Sequence, residues 1–470
     1  MSTEVPASGS RAFGRRLLVT LLVLALLTGA FAVLNMLQGA KLTNAAIDTR
    51  LATDRAGTTL VLTANQPIDS IADVRVSPDE AVDVAIDGRT VSLAFERPLA
   101  DATDYDVTLS GVVGTIQPTH SEWTYSFSTP DRPIGVLSRS ASGDDRVLVR
   151  DLHGGAAGSV LFSAPVIRSF DMTSDGLVAA LTVEPDGSTR AWVGGPDGAA
   201  ELVPPPEAAV GATMSELHAS PTNPLVGYTV STPGTPEAPG LTDALVLHDL
   251  SGTSDGAARF VGVFGDKPAS VLHWTFVPGT SSVVVQDAEF SLFLVDALGL
   301  RPPQPLGRFD EMRGFIPGTT TLVVADPDAG SLIDLATGSV TRLELPLSEL
   351  ADGTYAGRTH LLSPDGAYVQ SFSVADYSTG STRLFSSVAR VDADGTTTEL
   401  FAPATTSSRV DQYCPAPNGR SVAVVTVPLG AVPDSDGVAP GFADSLTTIV
   451  DAVTGAVIAS SPGAFPDWCR

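Results

Sequence analysis

The sequence predicts a protein that is all-β apart from one N-terminal transmembrane helix, with a small β-sandwich followed by a seven-bladed β-propeller. Three observations predict this fold class. An uncharged apolar stretch lies near the N-terminus, short alternating apolar and polar runs fill residues 38–130, and a four-strand pattern repeats over residues 131–470. One copy of the repeat is split between the two ends of its region, so the C-terminal strand is expected to close the ring.

The helix prediction rests on Leu17–Leu37, an uncharged stretch. At about 1.5 Å per residue, a helix of this length matches a hydrocarbon layer of roughly 30 Å. Arg11, Arg15 and Arg16 precede it and only Lys41 follows closely, so the positive-inside rule predicts a cytoplasmic N-terminus. We therefore expect a cytoplasmic tail over residues 1–16, a signal anchor over 17–37 and extracellular domains beyond it, in a single-pass protein of the cell membrane.

A cleaved signal peptide is the alternative interpretation of this stretch. Its apolar region would be Leu17–Leu27, and Ala30–Ala32 would be the small-x-small cleavage site. Retention is favoured because the apolar run continues from Val33 to Leu37, beyond a typical signal core. No cysteine lies near the segment, which argues against a lipoprotein anchor.

Amino-acid composition and net charge limit the classes of partner that are expected. The chain has 470 residues, of which 43% are hydrophobic and 17% charged, as in folded proteins rather than disordered ones. A net charge of -26 repels phosphate backbones and anionic headgroups, so nucleic acid is excluded as an expected partner. Lysine occurs only at Lys41 and Lys267, a usage typical of a high-GC, actinobacterial-type bacterium.

Residues 38–130 are predicted to form the β-sandwich. Val82, Val84 and Ile86 alternate with polar residues, and the same alternation returns over 91–95 after an Asp-Gly turn at 87–88. Because Asp-Gly accepts the left-handed dihedrals of a two-residue hairpin, this is a strong hairpin signal. Runs at 58–64, 105–109 and 123–128 add short strands at the spacing expected of a sandwich.

Four segments of this region together resemble the bacterial Ig-like module of S-layer-type surface proteins. They are Leu60–Ile68, Val74–Pro78, Pro98–Tyr105 and Trp123–Thr129. The resemblance implies a spacer or adhesion module without a catalytic site.

Two kinds of turn define the repeat of the second region. One kind precedes an apolar run and occurs six times, at Thr173–Gly176, Ser220–Asn223, Pro278–Thr280, Pro317–Thr319, Ser363–Gly366 and Ala416–Gly419. The other follows an apolar strand and occurs seven times, at Asp151–Gly154, Gly195–Gly198, Asp249–Gly252, Asp296–Gly299, Asp334–Gly338, Asp392–Gly395 and Asp451–Gly455. The spacing, roughly 40 to 55 residues, is typical of four-stranded propeller blades.

The region resembles bacterial β-propellers of the Tol-associated, WD40-like class, whose blades carry a Ser-Pro-Asp-Gly turn between the two inner strands. The turn Ser363–Gly366 matches that motif in full and the other copies match in part.

The two turn counts differ by one because the first copy lacks an innermost strand. It has only Gly135–Ser138, Arg146–Asp151 and Ser159–Ser163, whereas the chain ends with an additional strand at Ala464–Cys469. We therefore predict that the C-terminal strand pairs beside Gly135–Ser138 and closes a ring of seven blades.

Closure would bring the two cysteines together. Cys414 falls on the innermost strand of the seventh copy and Cys469 on the closing strand, so a disulfide is expected in an extracytoplasmic protein. Two buried free thiols are the alternative.

No motif predicts an enzyme, and no cofactor is expected. Gly252–Gly256 fits the nucleophile-elbow pattern but lies in a polar turn without the buried strand and helix that the elbow needs. Asp392–Gly395 and Asp326–Asp328 lack the closing bidentate Glu of a calcium loop and are interpreted as hairpin turns.

The innermost strands nevertheless carry polar residues that would line a central channel. These candidate funnel residues are His218, His273, Arg313, Arg358, His360, Asp411 and Gln412. The three histidines stand at offsets of different parity from the following turn, so they are not expected to share one face or bind a metal.

Long connections give the preferred partner surface. The loops between second and third strands are lengthened at Ser231–Asp243, Ala375–Thr382 and Pro428–Ser445, and a propeller places these loops on one face. Passive decoration of the surface explains such insertions equally well.

Three functions remain open from the sequence. The first is a membrane-anchored, non-enzymatic surface protein that binds a protein or cell-envelope partner at the loop face. The second is binding or turnover of a small ligand or glycan in the channel, and the third is the sensory subunit of an envelope regulatory complex.

Overall fold

The computed structural model describes residues 9–36, 39–141, 143–155, 158–208, 211–234, 239–252, 258–263, 268–346, 352–376, 383–434 and 441–469. The chain divides into two compact units. Unit 1 comprises Met1–Ala52, Ala56–Leu99 and Thr103–Pro130, and unit 2 comprises Thr53–Arg55, Ala100–Ala102 and Asp131–Arg470.

An apolar helix, α1, runs from Gly9 to Met36. Its segment Phe13–Ala30 has a mean hydropathy of 1.7 and no buried side chains, so it is long and apolar enough to cross a membrane. A signal sequence near the N-terminus has the same length and composition.

Two four-stranded antiparallel sheets form the rest of unit 1. Their strands are β1 Leu42–Ala46, β2 Thr59–Ala64, β3 Ile68–Ser70, β4 Asp73–Ser77, β5 Val82–Asp87, β6 Thr90–Phe95, β7 Asp104–Gly114 and β8 Ser121–Ser128. A short helix, α2 Thr49–Asp54, lies between β1 and β2 in the chain. One sheet has the order β1-β2-β6-β5; in the other, β7 pairs with β3, β4 and β8. The predicted hairpin is β5-β6, and Gly88 has the positive φ of 55° that the turn requires.

The two sheets of unit 1 share one hydrophobic core. Leu60, Leu62 and Leu93 from the first sheet and Leu109 and Trp123 from the second belong to the same buried cluster. Alternation of apolar and polar residues along each strand turns one face of each sheet inward, which explains the packing.

Seven successive antiparallel sheets, numbered here in chain order, form unit 2. Sheet 1 contains β9 Pro133–Ser138, β10 Asp145–Asp151 and β11 Ser159–Ala164. Sheet 2 contains β12 Ile167–Met172, β13 Val178–Val183, β14 Thr189–Gly195 and β15 Gly198–Glu201. Sheet 3 contains β16 Thr213–Ala219, β17 Leu225–Ser231, β18 Ala244–Asp249 and β19 Arg259–Phe260. Sheet 4 contains β20 Val271–Phe276, β21 Ser282–Asp287, β22 Ser291–Asp296 and β23 Gln304–Arg308.

The last three sheets follow the same plan. Sheet 5 contains β24 Glu311–Phe315, β25 Thr321–Asp326, β26 Ala329–Asp334 and β27 Ser339–Leu343. Sheet 6 contains β28 Thr354–Ala356, β29 His360–Leu361, β30 Tyr368–Asp376, β31 Arg383–Val391 and β32 Thr397–Phe401. Sheet 7 contains β33 Ser408–Pro415, β34 Ser421–Pro428, β35 Leu446–Asp451 and β36 Val457–Pro462. The predicted turns connect these strands: the first kind joins first to second strands in sheets 2 to 7, and the second kind joins the last two strands of every sheet.

The packing order of the seven sheets is cyclic. Seven buried clusters each contain residues of two sheets: sheets 1 and 2, 2 and 3, 3 and 4, 4 and 5, 5 and 6, 6 and 7, and finally 7 and 1. In the last cluster, Ala423 and Ile449 of sheet 7 lie with Ile134 and Leu152 of sheet 1. Each sheet therefore buries apolar side chains against two neighbours. A sheet of this size needs these contacts because, when isolated, it has no surface against which to bury its apolar faces.

The C-terminal tail pairs with sheet 1 where the sequence predicts it. Leu137 and Ala464 exchange two backbone hydrogen bonds, and the backbone N–H of Gly135 donates to the Asp467 carboxylate at 3.0 Å. The predicted strand over Ala464–Cys469 is nevertheless a single bridge followed by a turn. Phe465 has a φ of 50° and Pro466 lacks an N–H group, so regular strand pairing is interrupted after Ala464. One further backbone bond follows the interruption, from the Asp467 N–H to the Gly135 oxygen at 3.1 Å.

The predicted disulfide is present. Cys414 lies on β33, the first strand of sheet 7, and bonds to Cys469 beyond the turn, with the two Cα atoms 5.3 Å apart. The bond links sheet 7 to the tail that completes sheet 1.

Sheet 6 departs from the common plan. Its first strand is divided into β28 and β29, and the nine-residue β30 extends through Asp376, so the predicted loop Ala375–Thr382 begins two residues later. Residues 377–382, 235–238 and 435–440, which belong to the three predicted long loops, lie outside the described residues.

Candidate functional site

A β-bulge interrupts the first strand of most sheets in unit 2. The register shifts between Ile167 and Ser169, Ser215 and His218, Val271 and His273, Met312 and Gly314, and Val410 and Gln412. In sheet 6 the first strand is interrupted altogether, over residues 357–359. A bulge turns a side chain away from the alternation of its strand, and most of these bulges contain a charged residue.

Glu311 holds two arginines at the bulge of sheet 5. Its carboxylate lies 2.8 Å from Nε of Arg313 on the same strand and 3.0 Å from a guanidinium nitrogen of Arg358 in sheet 6. Arg358 also donates to the backbone oxygen of Met312 at 3.4 Å. The three side chains remain between 32% and 47% exposed, so solvent and solutes reach this ion-paired group.

Glu216 and His273 form a second pair, between sheets 3 and 4. The carboxylate lies 3.3 Å from Nδ1 of His273, and this hydrogen bond raises the pKa of the imidazole above its ordinary value. The indole N–H of Trp274 donates to the backbone oxygen of Glu216 at 3.0 Å, and Glu216 has a φ of 49°. Glu311 and Arg358 also act on the pKa of His273, so this pair lies within electrostatic range of the first group.

His360 completes the arrangement from sheet 6. Its ring centroid lies 5.3 Å from that of Tyr413 in an edge contact. Burial, followed by the nearby Arg358 and Arg313 charges, lowers the pKa of His360 to about 4, so the imidazole is neutral at physiological pH. We call Glu216, His273, Glu311, Arg313, Arg358 and His360 the first-strand cluster.

The structure brings four of the predicted funnel residues into this cluster: His273, Arg313, Arg358 and His360. His218 instead packs its ring against Trp274, with 4.9 Å between centroids. Asp411 pairs with Arg409 on its own strand at 2.7 Å, and Gln412 lies opposite Val425 in the ladder.

Sequence reasoning missed Glu216 and Glu311. The detectable signal was an acidic residue two positions from a basic one on the same strand, as in Glu311 and Arg313. Counting parity from the turns was an unsafe guide, because each bulge shifts the phase of the alternation.

Within the described residues, no group of three or more His, Cys, Asp or Glu side chains is arranged to hold a metal ion. The pattern Gly252–Gly256 lies mostly outside the described residues. Asp392–Gly395 joins β31 to β32, and Asp326 begins the turn that joins β25 to β26, so both are hairpin turns.

A second candidate surface lies where sheets 6 and 7 meet. Val374 and Phe385 are directly paired across β30 and β31 and are 37% and 47% exposed, and Leu429 and Val432 after β34 are 37% and 82% exposed. A depression of about 240 Å³ lies beside Val374 and Phe385, and the backbone N–H of Leu429 donates to the Ser407 oxygen at its border. We call Val374, Phe385, Leu429 and Val432 the apolar rim.

No family model matches the chain, and no curated protein matches it. Among solved structures, the computationally designed protein Ika8 is 14% identical, with 70% of this chain and 84% of that chain covered and a TM-score of 0.36. A putative TolB from Agrobacterium tumefaciens is 13% identical, with 70% and 89% covered and a TM-score of 0.29. A protein from Lactobacillus plantarum is 15% identical, with 72% and 96% covered and a TM-score of 0.38. The functional interpretation of this chain therefore depends on its own geometry.

Proposed function

We propose that this protein is a membrane-anchored, extracytoplasmic, non-enzymatic binding protein, in which unit 2 is a seven-bladed β-propeller that binds a protein or cell-envelope partner. The cyclic packing order of the sheets and the tail that pairs with sheet 1 support the propeller. The sandwich of unit 1 serves as an Ig-like spacer in the order of the chain. A disulfide supports an oxidising, extracytoplasmic location, and α1 supports the anchor.

The apolar rim carries the proposal of partner binding. Exposed apolar side chains scattered singly are normal, but here Val374 and Phe385 line one depression. On the neighbouring sheet, Leu429 bonds through its backbone N–H to Ser407 at the border of the depression, and the exposed Val432 follows three positions later. The connections of both sheets at this end are also those that the sequence identifies as lengthened. Burial of the rim by a protein partner removes apolar surface from water, which favours association.

Affinity capture of the full chain from crosslinked, solubilised membranes tests this function. The double variant Leu429→Lys/Val432→Lys adds charge to the rim on its sheet 7 side and is expected to lose the partner that the unchanged chain recovers. Val340→Lys/Val457→Lys, at positions 52% and 64% exposed on the outer strands of sheets 5 and 7, is the matched control. Equal recovery by both double variants would contradict binding at the rim.

The first-strand cluster favours a second candidate, the binding of a small anionic ligand. Arg313 and Arg358 share one carboxylate, that of Glu311. A ligand carboxylate or phosphate is able to replace it, because guanidinium groups donate hydrogen bonds to either anion. Isothermal titration with citrate and with inorganic phosphate, comparing the unchanged chain with Arg358→Gln, tests this candidate. Heat of binding that is the same in both proteins would contradict it.

A further inference from the structure

Among the described residues, no strand pairs with one edge of the long hairpin of sheet 6 over part of its length. Strand β31 pairs with β30 along its whole length, from Arg383 to Val391. On the opposite edge, the described part of β32 pairs with it only over Val388–Val391. No backbone partner among the described residues occupies this edge over Arg383–Ser387, about 17 Å at roughly 3.3 Å per residue. Within this segment Ser386 is 7% exposed, and its hydroxyl accepts a hydrogen bond from the Val410 N–H of β33 at 2.9 Å. We call the backbone edge of Arg383–Ser387 the open edge.

The sequence explains why β32 stops there. It ends at Phe401, and the chain continues through Ala402 into Pro403, which has no N–H group to donate to a ladder. The chain then leaves β31 and reaches β33 through residues 404–407. Because backbone groups alternate in direction along a strand, alternate residues of Arg383–Ser387 point their N–H and C=O groups to the open side.

The depression described above occupies the space that β32 leaves. It is lined by β31 residues from Leu384 to Ser387, by Val374 of β30, and on the far side by Glu399 and Pro403. Val374 and Phe385 face it as a directly paired, exposed couple. The depression thus combines the open edge of β31 with an apolar floor.

Charge adds a third property. Glu399 is exposed at the wall of the depression, and no ion pair within the described residues involves it. A partner that brings a basic side chain beside its apolar residues is complementary to this wall.

We propose that this site binds an extended peptide segment of a partner protein, which adds a strand to the open edge of β31 and carries an apolar residue next to a basic one. Main-chain hydrogen bonds to Arg383–Ser387 supply affinity, and the pockets for alternate side chains supply selectivity, as in other cases of strand addition. The proposal deepens the proposed function, on which it rests, by specifying the class of partner.

The probe is a capped, fluorescent peptide of alternating valine and threonine with one central lysine, measured by anisotropy on the full chain in detergent. We expect binding to weaken by about tenfold for Glu399→Lys and for Phe385→Asp, and to change by less than about twofold for Val340→Lys. A peptide of the same sequence with methylated backbone nitrogens should not bind, because it cannot donate to the strand edge. Equal binding of the methylated peptide would overturn the proposal.

Photo-crosslinking from the lysine position locates the peptide independently of affinity. Crosslinks to residues 383–387 and 402–406 are expected, and crosslinks confined to any other sheet would overturn strand addition. The thermal midpoint of each variant identifies misfolding, and Phe385→Ala, a smaller change, replaces Phe385→Asp if the latter unfolds. A further outcome is that the peptide fails to bind while the Leu429→Lys/Val432→Lys variant still loses the partner in the affinity capture. In that case strand addition is wrong and the proposed function stands.

Discussion

Leu137 and Ala464 exchange two backbone hydrogen bonds, of 2.8 and 2.9 Å, so the end of the chain occupies the first-strand position of sheet 1. Their pairing joins the first and last parts of unit 2. The Cys414–Cys469 bond fastens the same tail to sheet 7. Stability at this junction is therefore open to several direct tests.

Loss of the disulfide should destabilise unit 2. Its cysteines are 55 positions apart, and in the chain-entropy model a loop of that size corresponds to about 4 kcal/mol as an upper value. We expect Cys414→Ser/Cys469→Ser to lower the thermal midpoint and to make the tail accessible to carboxypeptidase. The unchanged protein with its disulfide intact, measured under the same conditions, is the control. An unchanged midpoint, with the tail still protected, would show that hydrogen bonds alone hold the junction.

A buried arginine should contribute separately to the stability of unit 2. Arg139 is 7% exposed and lies 3.0 Å from Asp145 and 3.1 Å from Asp434, a residue of the long connection in sheet 7. Arg139→Met leaves Asp145 buried without its cation, which should cost about 3 to 5 kcal/mol of unfolding free energy in a denaturant titration.

Arg146→Met is the control for that substitution, because Arg146 lies on β10 next to Asp145 but is exposed. Similar losses for the two variants would mean that the buried ion pair is not the cause.

Acid should destabilise unit 2 through His248. The side chain is 2% exposed, its Nε2 lies 2.9 Å from the Tyr228 hydroxyl, and burial lowers its pKa to about 4. The unfolded chain, with an ordinary value near 6.5, binds the proton more readily. Stability is therefore fully present above about pH 6.5 and falls as the pH drops toward 4, by up to about 3 kcal/mol.

Denaturant titrations at pH 7 and pH 5 measure this loss, and His248→Gln should reduce it. His360, whose pKa is also about 4, contributes in the same direction, so some dependence on pH should remain in the variant. A variant with the same pH dependence as the parent would exclude His248 as a source.

The pairing of Glu216 with His273 predicts a specific titration. The hydrogen bond to Glu216 raises the pKa of His273, so Glu216→Gln should bring that pKa down toward or below its ordinary value. Histidine NMR titration measures the change. Glu289→Gln, in an exposed turn of sheet 4, is the control and should leave His273 unaffected. An unchanged pKa of His273 in Glu216→Gln would mean that the two side chains are not hydrogen-bonded in solution.

Local sequence patterns predicted much of this architecture. The alternation over residues 82–95 predicted the β5-β6 hairpin, and the turns at Asp365 and Asp451 belong to the repeats that predicted the division into sheets. These features are predictable because turn dihedrals and the period of two depend on neighbouring residues alone. The Cys414–Cys469 bond followed from the same count of strands.

The sequence by itself thus determined the succession of strands, the incomplete first sheet and the pairing of the two cysteines. Only the tertiary structure decided that Glu311 joins Arg313 to Arg358, that Asp434 reaches Arg139, and that β32 leaves the edge of β31 open. The reason is physical. A bulge or a proline changes the direction of a side chain or strand, and whether the new direction meets a partner depends on another sheet that is distant in the sequence.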